Sequence, residues 1–163
     1  MKTLAIALVL ATNPNIDMER FLKLSTEAAA HRQQRRVSEA DFLRMSAEPG
    51  TVVLDARSRA KFEELHVDGA INLSFPDFNA ASLAAILPSK KTRVLIYCNN
   101  NFSGNESAFA TKAPPASLNL STYIALYTYG YTNVYELEPL LDVKTTRLTL
   151  VSEKQALRSA AGE

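Results

Sequence analysis

Two short runs decide what this chain can become. Thr51-Val52-Val53-Leu54 and Val94-Leu95-Ile96-Tyr97 are rich in β-branched residues and almost wholly apolar, without the polar alternation of a strand that shows one face to water. Such runs suit strands covered on both faces, as in a parallel sheet of an α/β protein. Shorter runs of the same character are Ala70-Ile71-Asn72-Leu73 and Val134-Tyr135-Glu136-Leu137, and between them stand helical candidates at Arg59 to Leu65, Ala80 to Leu87 and Ser117 to Tyr129. Strand alternating with helix at this spacing predicts an α/β fold, a parallel sheet with helices on both faces. The active crevice of such a sheet lies beyond the carboxyl ends of its strands. Asp55 and Arg57 follow the first run and Cys98 ends the second, which makes these three the first candidate functional residues.

Composition narrows the function. With 163 residues, 47% hydrophobic and 21% charged, the chain can close a core without a disulfide or structural metal. Its single cysteine has no partner within the chain. A formal net charge of +1 supplies no field for nucleic acid. Two histidines and one cysteine without paired spacing do not build a zinc site, so neither a metal nor another cofactor is expected. Lys2 followed by the apolar run Leu4 to Ala11 has the order of an export signal cut before Thr12, which predicts a periplasmic or secreted protein; the alternative, a first strand or disordered start in place of a signal, predicts a cytoplasmic one. That run is too short to span a bilayer, so no stable membrane span is expected.

Four stretches follow: an export segment at 1–11, an N-terminal helical extension at 12–36, an α/β domain at 37–151 and a tail at 152–163. Asn13-Pro14 signals a helix start. Met18, Phe21, Leu22, Ser25, Ala28 and Ala29 then recur at three- and four-residue steps, a face to pack on a larger body. His31, Arg32, Arg35 and Arg36 are accounted for as solvated cations at a helix C-terminus. Ser38 with Asp41 three residues on reads as the cap of a second helix, with Val37 stapled against Phe42.

Cys98 is followed by Asn99-Asn100-Asn101-Phe102-Ser103-Gly104-Asn105, polar and turn-prone, hence a loop at a strand's end. Asn and Gly tolerate left-handed backbone, so successive N–H groups can turn inward as a nest for an anion, here a thiolate or persulfide on Cys98. A helix beginning soon after adds positive potential that favours the same anion. The segment from Phe102 to Ala116 is long for a link in a compact domain, as expected of a lid or a loop that binds a protein partner. The apolar residues between Ser117 and Gly130 are expected to pack in the core rather than recognise a ligand.

In this order these segments resemble the rhodanese-like sulfurtransferases. Val53-Leu54-Asp55-Ala56-Arg57 is similar to the family's first signature, and Phe62 with His66-Val67-Asp68-Gly69-Ala70-Ile71-Asn72-Leu73 to its second. Val94-Leu95-Ile96-Tyr97-Cys98 is similar to the strand that delivers the catalytic cysteine, and Tyr129-Gly130-Tyr131-Thr132-Asn133-Val134-Tyr135-Glu136-Leu137 to the late helix-to-strand turn. The resemblance spans about Val37 to Leu137. It implies a three-layer α/β fold around a mostly parallel sheet. It also implies a cycle in which Cys98 takes sulfane sulfur from a small donor, holds it as a persulfide in the loop Asn99, Asn100, Asn101, Phe102, Ser103 and Gly104, and yields it to a thiol or cyanide. Asp55, Arg57 and His66 are supporting residues in that picture. The alternative is a catalytically weak binding or redox-sensing module that uses the loop after Cys98.

Three departures from the family pattern bear on the chemistry. Asn99 to Ser107 contains no Lys or Arg and includes Glu106, so a thiosulfate dianion gains little there. Phosphatases of this fold clamp phosphate with an arginine, and neither Ser103 nor Gly104 can do so. Glu138-Pro139-Leu140-Leu141 lacks the family's glycine pair and tryptophan, and Thr146 to Val151 is a candidate additional edge strand.

Overall fold

The structure is a computed structural model and describes residues 13–153. The expected export segment at 1–11 and the tail from 154 onward lie outside the described residues. The first helix, α1 (Met18–Arg32), is capped by Asp17, whose side chain accepts the Arg20 N–H at 2.8 Å. It starts later than Asn13-Pro14 promised, because the Asn13 side chain closes a turn on the Asn15 N–H instead. There follow β1 (Arg36–Val37), α2 (Glu39–Ser46), β2 (Thr51–Asp55), α3 (Arg59–Glu64), β3 (His66–Val67), β4 (Ile71–Asn72) and α4 (Ala80–Ile86). The second half holds β5 (Arg93–Tyr97), β6 (Phe102–Ser103), α5 (Leu118–Thr128), β7 (Val134–Leu137), β8 (Leu141–Asp142) and β9 (Leu150–Val151). Ser38 caps α2 as expected, accepting the Asp41 N–H at 3.1 Å.

Five strands form the central sheet in the order β1-β7-β5-β2-β4, every neighbouring pair parallel. The two apolar runs lie side by side in its middle, Thr51 opposite Arg93 and Asp55 opposite Tyr97. Because side chains alternate across a strand, these strands feed two cores. Val53, Leu95 and Tyr97 pack with Phe42 and Met45 of α2 and with Phe102 and Phe109. Leu54, Val94 and Ile96 pack on the other face with Ala28 of α1, Leu83 of α4 and Tyr123 and Leu126 of α5. This is the three-layer arrangement that the alternating pattern required.

The differences from expectation fall on short elements and on α1. Two-residue strands β1, β6 and β8 carry too little pattern to be seen in the sequence. β9 is the extra strand expected within Thr146 to Val151, but it pairs antiparallel with β3, outside the central sheet. The apolar face of α1 docks only through its C-terminal half. Ala28 is buried there, whereas Met18, Phe21 and Leu22 stay exposed because the first turns extend past the domain surface. Arg32 is no solvated cation either: its guanidinium forks onto Glu136 of β7.

Phe42 is completely buried and Phe21 is 51% exposed, which gives the two positions opposite outcomes. Phe42→Ala is expected to cost about 3–5 kcal/mol in urea unfolding, and Phe21→Ala no more than about 0.5 kcal/mol.

Candidate functional site

The site is organised around a charge pair at the carboxyl end of β2. Asp55 is fully buried and Arg57 is 4% exposed, so the two charges have only protein to neutralise them. The Arg57 Nη2 donates to Asp55 Oδ2 at 2.6 Å and Nε to Oδ1 at 3.0 Å, while the Arg57 backbone N–H also reaches Oδ1 at 2.9 Å. The Tyr97 hydroxyl of β5 donates to Asp55 Oδ2 at 2.6 Å and accepts the Val67 N–H of β3 at 3.0 Å. Burial, followed by the charge of Asp55, holds the Tyr97 phenol well above its ordinary pKa, so it serves as a neutral donor. Burial works against the charge of Arg57, yet the hydrogen bonds and charge of Asp55 outweigh it and its pKa is raised. The remaining guanidinium protons bind the Ala108 carbonyl at 2.9 Å and the Leu65 carbonyl at 2.8 Å. Arg57 thus ties the end of β2 to the end of α3 and to the chain beyond Cys98.

His66 stands beside this frame, packed on α3. Its ring stacks on Phe62 at 3.7 Å between centroids, and its Nδ1 lies 2.7 Å from the Phe62 carbonyl oxygen.

Cys98 stands at the end of β5. The chain turns there through one short 3-10 turn, Asn99–Asn101, whose first residues are held by Cys98 itself. The thiol sulfur accepts the Asn100 N–H at 3.4 Å and lies 3.5 Å from Ser117 Oγ, directly before α5. The sulfur therefore lies beside the amino-terminal end of that helix. The Asn101 side chain folds back so that its Oδ1 accepts the Cys98 N–H at 2.9 Å. Of the six loop residues expected around the sulfur, Asn99, Asn100 and Asn101 are there and the others are drawn away. Phe102 is buried in the core edge-on to Tyr97, Ser103 pairs in β6 with β8, and Gly104 takes a positive φ of 83° beside Asp142.

Cys98 is only 1% exposed, and the segment after Gly104 is tied to the two residues that follow it. Asn99 Nδ2 donates to the Ala110 carbonyl, and Asn100 pairs both ways with Lys112, at 2.8 and 3.0 Å. Lys61 Nζ reaches the Ser107 carbonyl at 2.5 Å, and Phe109 is buried under the Arg57 guanidinium. Beside this segment opens a cavity of about 500 Å³ with Phe75, Pro76 and Leu118 in its wall together with Asn99, Lys61 and Lys112. Cys98 itself is behind that wall, next to Asn99. Lys112 has no ion-pair partner among the described residues. Neither lysine stands out in the sequence: Lys61 is on α3, far along the chain from the loop after Cys98, and Lys112 lies beyond Asn99 to Ser107, although a count of cations over 102–116 finds it. Among the described residues no group of His, Cys, Asp and Glu could hold a metal ion, and no helix is long and apolar enough to cross a membrane.

Comparison with known proteins agrees with this architecture. The Rhodanese-like domain model matches residues 38–138. The BH2092 protein of Bacillus halodurans is similar in structure, with a TM-score of 0.53 and 18% identity over 78% of this chain and 86% of that one. The Alr3790 protein of Anabaena sp. has a TM-score of 0.50 and 16% identity over 77% of this chain and 99% of that one. Both likenesses concern the fold. Among curated proteins none matches the chain.

Replacing Asp55 by Ala strands a guanidinium that is 4% exposed. The expected loss in urea unfolding is about 3–5 kcal/mol, as for other broken buried pairs. A loss below about 1 kcal/mol would mean that the pair does not hold the site together.

Proposed function

The chain belongs to the rhodanese-like domain family, and on that premise we propose that Cys98 carries sulfane sulfur as a persulfide between a small donor and a thiol. The observation that carries this reading is the position of the chain's one cysteine, at the end of β5, against the start of α5 and beside the cavity. The donor that suits the cavity is an anion with an apolar body, such as an organic thiosulfonate. Phe75, Pro76 and Leu118 offer the apolar wall and Lys112 the unpaired cation.

In the first half-reaction the Cys98 thiolate attacks the outer sulfur of the thiosulfonate. A new S–S bond forms on Cys98, the bond from that sulfur to the sulfonyl group breaks, and a sulfinate leaves with the electron pair. In the second, an acceptor thiolate takes the outer sulfur and Cys98 is released as thiolate. Charge and atoms balance in both steps, and no cofactor is consumed. Since Cys98 is buried, the 104–116 segment has to lift for either partner to reach the sulfur. That same burial favours a second reading, a weakly active module whose closed segment binds a partner. The expected export signal at 1–11 would place either activity in the periplasm or outside the cell.

Intact mass separates the readings. Wild type incubated with an organic thiosulfonate is expected to gain one sulfur atom and to lose it to added thiol, and Cys98→Ser to gain none. Lys112→Ala is expected to raise the KM for the anionic donor up to about fivefold, the effect of one exposed charge, with kcat nearly unchanged. If folded wild type takes no sulfur from either thiosulfonate or thiosulfate, the transfer reading is wrong and the binding module stands.

A further inference from the structure

A line of polar contacts runs from α1 to Cys98 and leaves the family-matched region at one end. Glu136 of β7 is only 5% exposed, so its carboxylate needs a paired cation to stay charged. Arg32 of α1 supplies it through two hydrogen bonds, Nη2 to Oε1 at 2.6 Å and Nε to Oε2. Asn119 of α5 donates Nδ2 to the same Oε1 at 3.3 Å and to Asn101 Oδ1 at 2.9 Å. Asn101 Oδ1 then accepts the Cys98 N–H, while Asn101 Nδ2 donates to the carbonyls of Leu137 at 2.8 Å and Pro139 at 3.3 Å.

The charge on Glu136 fixes the direction of this line. An ionised carboxylate only accepts, so Asn119 must present its NH2 group, which leaves Asn101 oriented with its oxygen toward Cys98. The Asn119 oxygen is buried and without a hydrogen-bond partner, a cost that the amide bears in this orientation. Without Arg32 the Glu136 carboxylate loses the contacts that hold it against Asn119, and the amide is then free to turn over. Turning it removes the hydrogen bond to Asn101 and loosens the turn that holds Cys98.

We propose that Arg32, through Glu136, Asn119 and Asn101, is a positioning residue for Cys98, so that docking of the N-terminal helix sets the order of the thiol's turn. Arg32 lies outside the matched residues 38–138, and the proposal makes α1 a working part of the site and not an appendage. Its importance for catalysis rests on the sulfur-transfer reading, but its geometry does not.

The test is the rate of Cys98 alkylation by iodoacetamide in the folded protein, which needs no sulfur donor. Failure of the transfer reading would therefore leave this readout intact, and sulfur loading measured by mass on the same variants reports on that reading separately. Arg32→Gln is expected to speed alkylation about fivefold or more, Arg32→Lys to restore most of the wild-type rate, and Arg32→Gln to add nothing in an Asn119→Ala background, as coupled positions do. Tyr123→Phe is the control: it removes another contact of α1 with α5, the 2.8 Å one from His31 Nδ1 to the Tyr123 hydroxyl, and is expected to leave alkylation unchanged. Should Arg32→Gln not fold, Arg32→Lys with and without Asn119→Ala gives the same comparison on a smaller scale. Equal acceleration by Arg32→Gln with and without Asn119, no acceleration at all, or the same acceleration by Tyr123→Phe would overturn the proposal.

Discussion

The Asp55–Arg57 pair is the contact on which the other parts of the site depend. It lies where two buried parallel strands end, and there the backbone must leave the sheet without stranding its polar groups. One arginine, through its backbone N–H and its guanidinium, fixes three departures at once: its own turn after β2, the end of α3 at Leu65, and the returning chain at Ala108. Asn72 and Ser74, in and just after β4, complete the turn by binding the Arg57 carbonyl at 2.9 and 3.0 Å. A buried pair of this kind adds little net stability compared with apolar packing, but removing one member is costly. It therefore acts less as a source of stability than as a constraint on where the segments around Cys98 can go.

That constraint shapes the thiol's surroundings. Arg57 holds Ala108, Phe109 packs beneath the guanidinium and against Phe102 at 4.5 Å, and the chain between them is drawn across the end of β5. The result differs from an open nest of backbone N–H groups. A short turn of three asparagines holds Cys98, and the segment beyond Gly104 is bound to the first two of them. The Asn99 and Asn100 side chains donate to the Ala110 and Lys112 carbonyls, so the loop and that segment are one hydrogen-bonded unit. Lys61, paired with Glu64 at 2.9 Å, and Lys112 line the cavity beside that unit.

Much of this was legible in the sequence where a long pattern stood behind it. The runs at 51–54 and 94–97 gave β2 and β5, their alternation with apolar helices gave the layers, and the order of four signatures pointed to the family. Ser38 with Asp41 predicted its own cap. The six-residue loop divides in the structure, its first three residues forming the turn at Cys98 and the rest leaving it. Phe102 carries no local sign that it will leave the turn for the core, because what draws it there is Tyr97 and Phe109, brought together by the fold. Arg32 and Glu136 are 104 residues apart, and nothing near either predicts the other. Lys61 lies on α3, placed at the cavity by a helix that the sequence predicted but whose facing it could not.

The central proposal is that Cys98 carries sulfur beside a segment that lifts to admit its partners. A persulfide adds a second sulfur at about 2.05 Å from the first, into a space where Ser117 Oγ already stands 3.5 Å away. Hydrogen exchange read by mass spectrometry over residues 104–116, with Cys98 free and with Cys98 carrying sulfur, measures the consequence directly. The account predicts faster exchange in that segment on loading, and unchanged exchange in β2 and β5. A segment equally protected in both states, in protein shown by mass to be loaded, would contradict it.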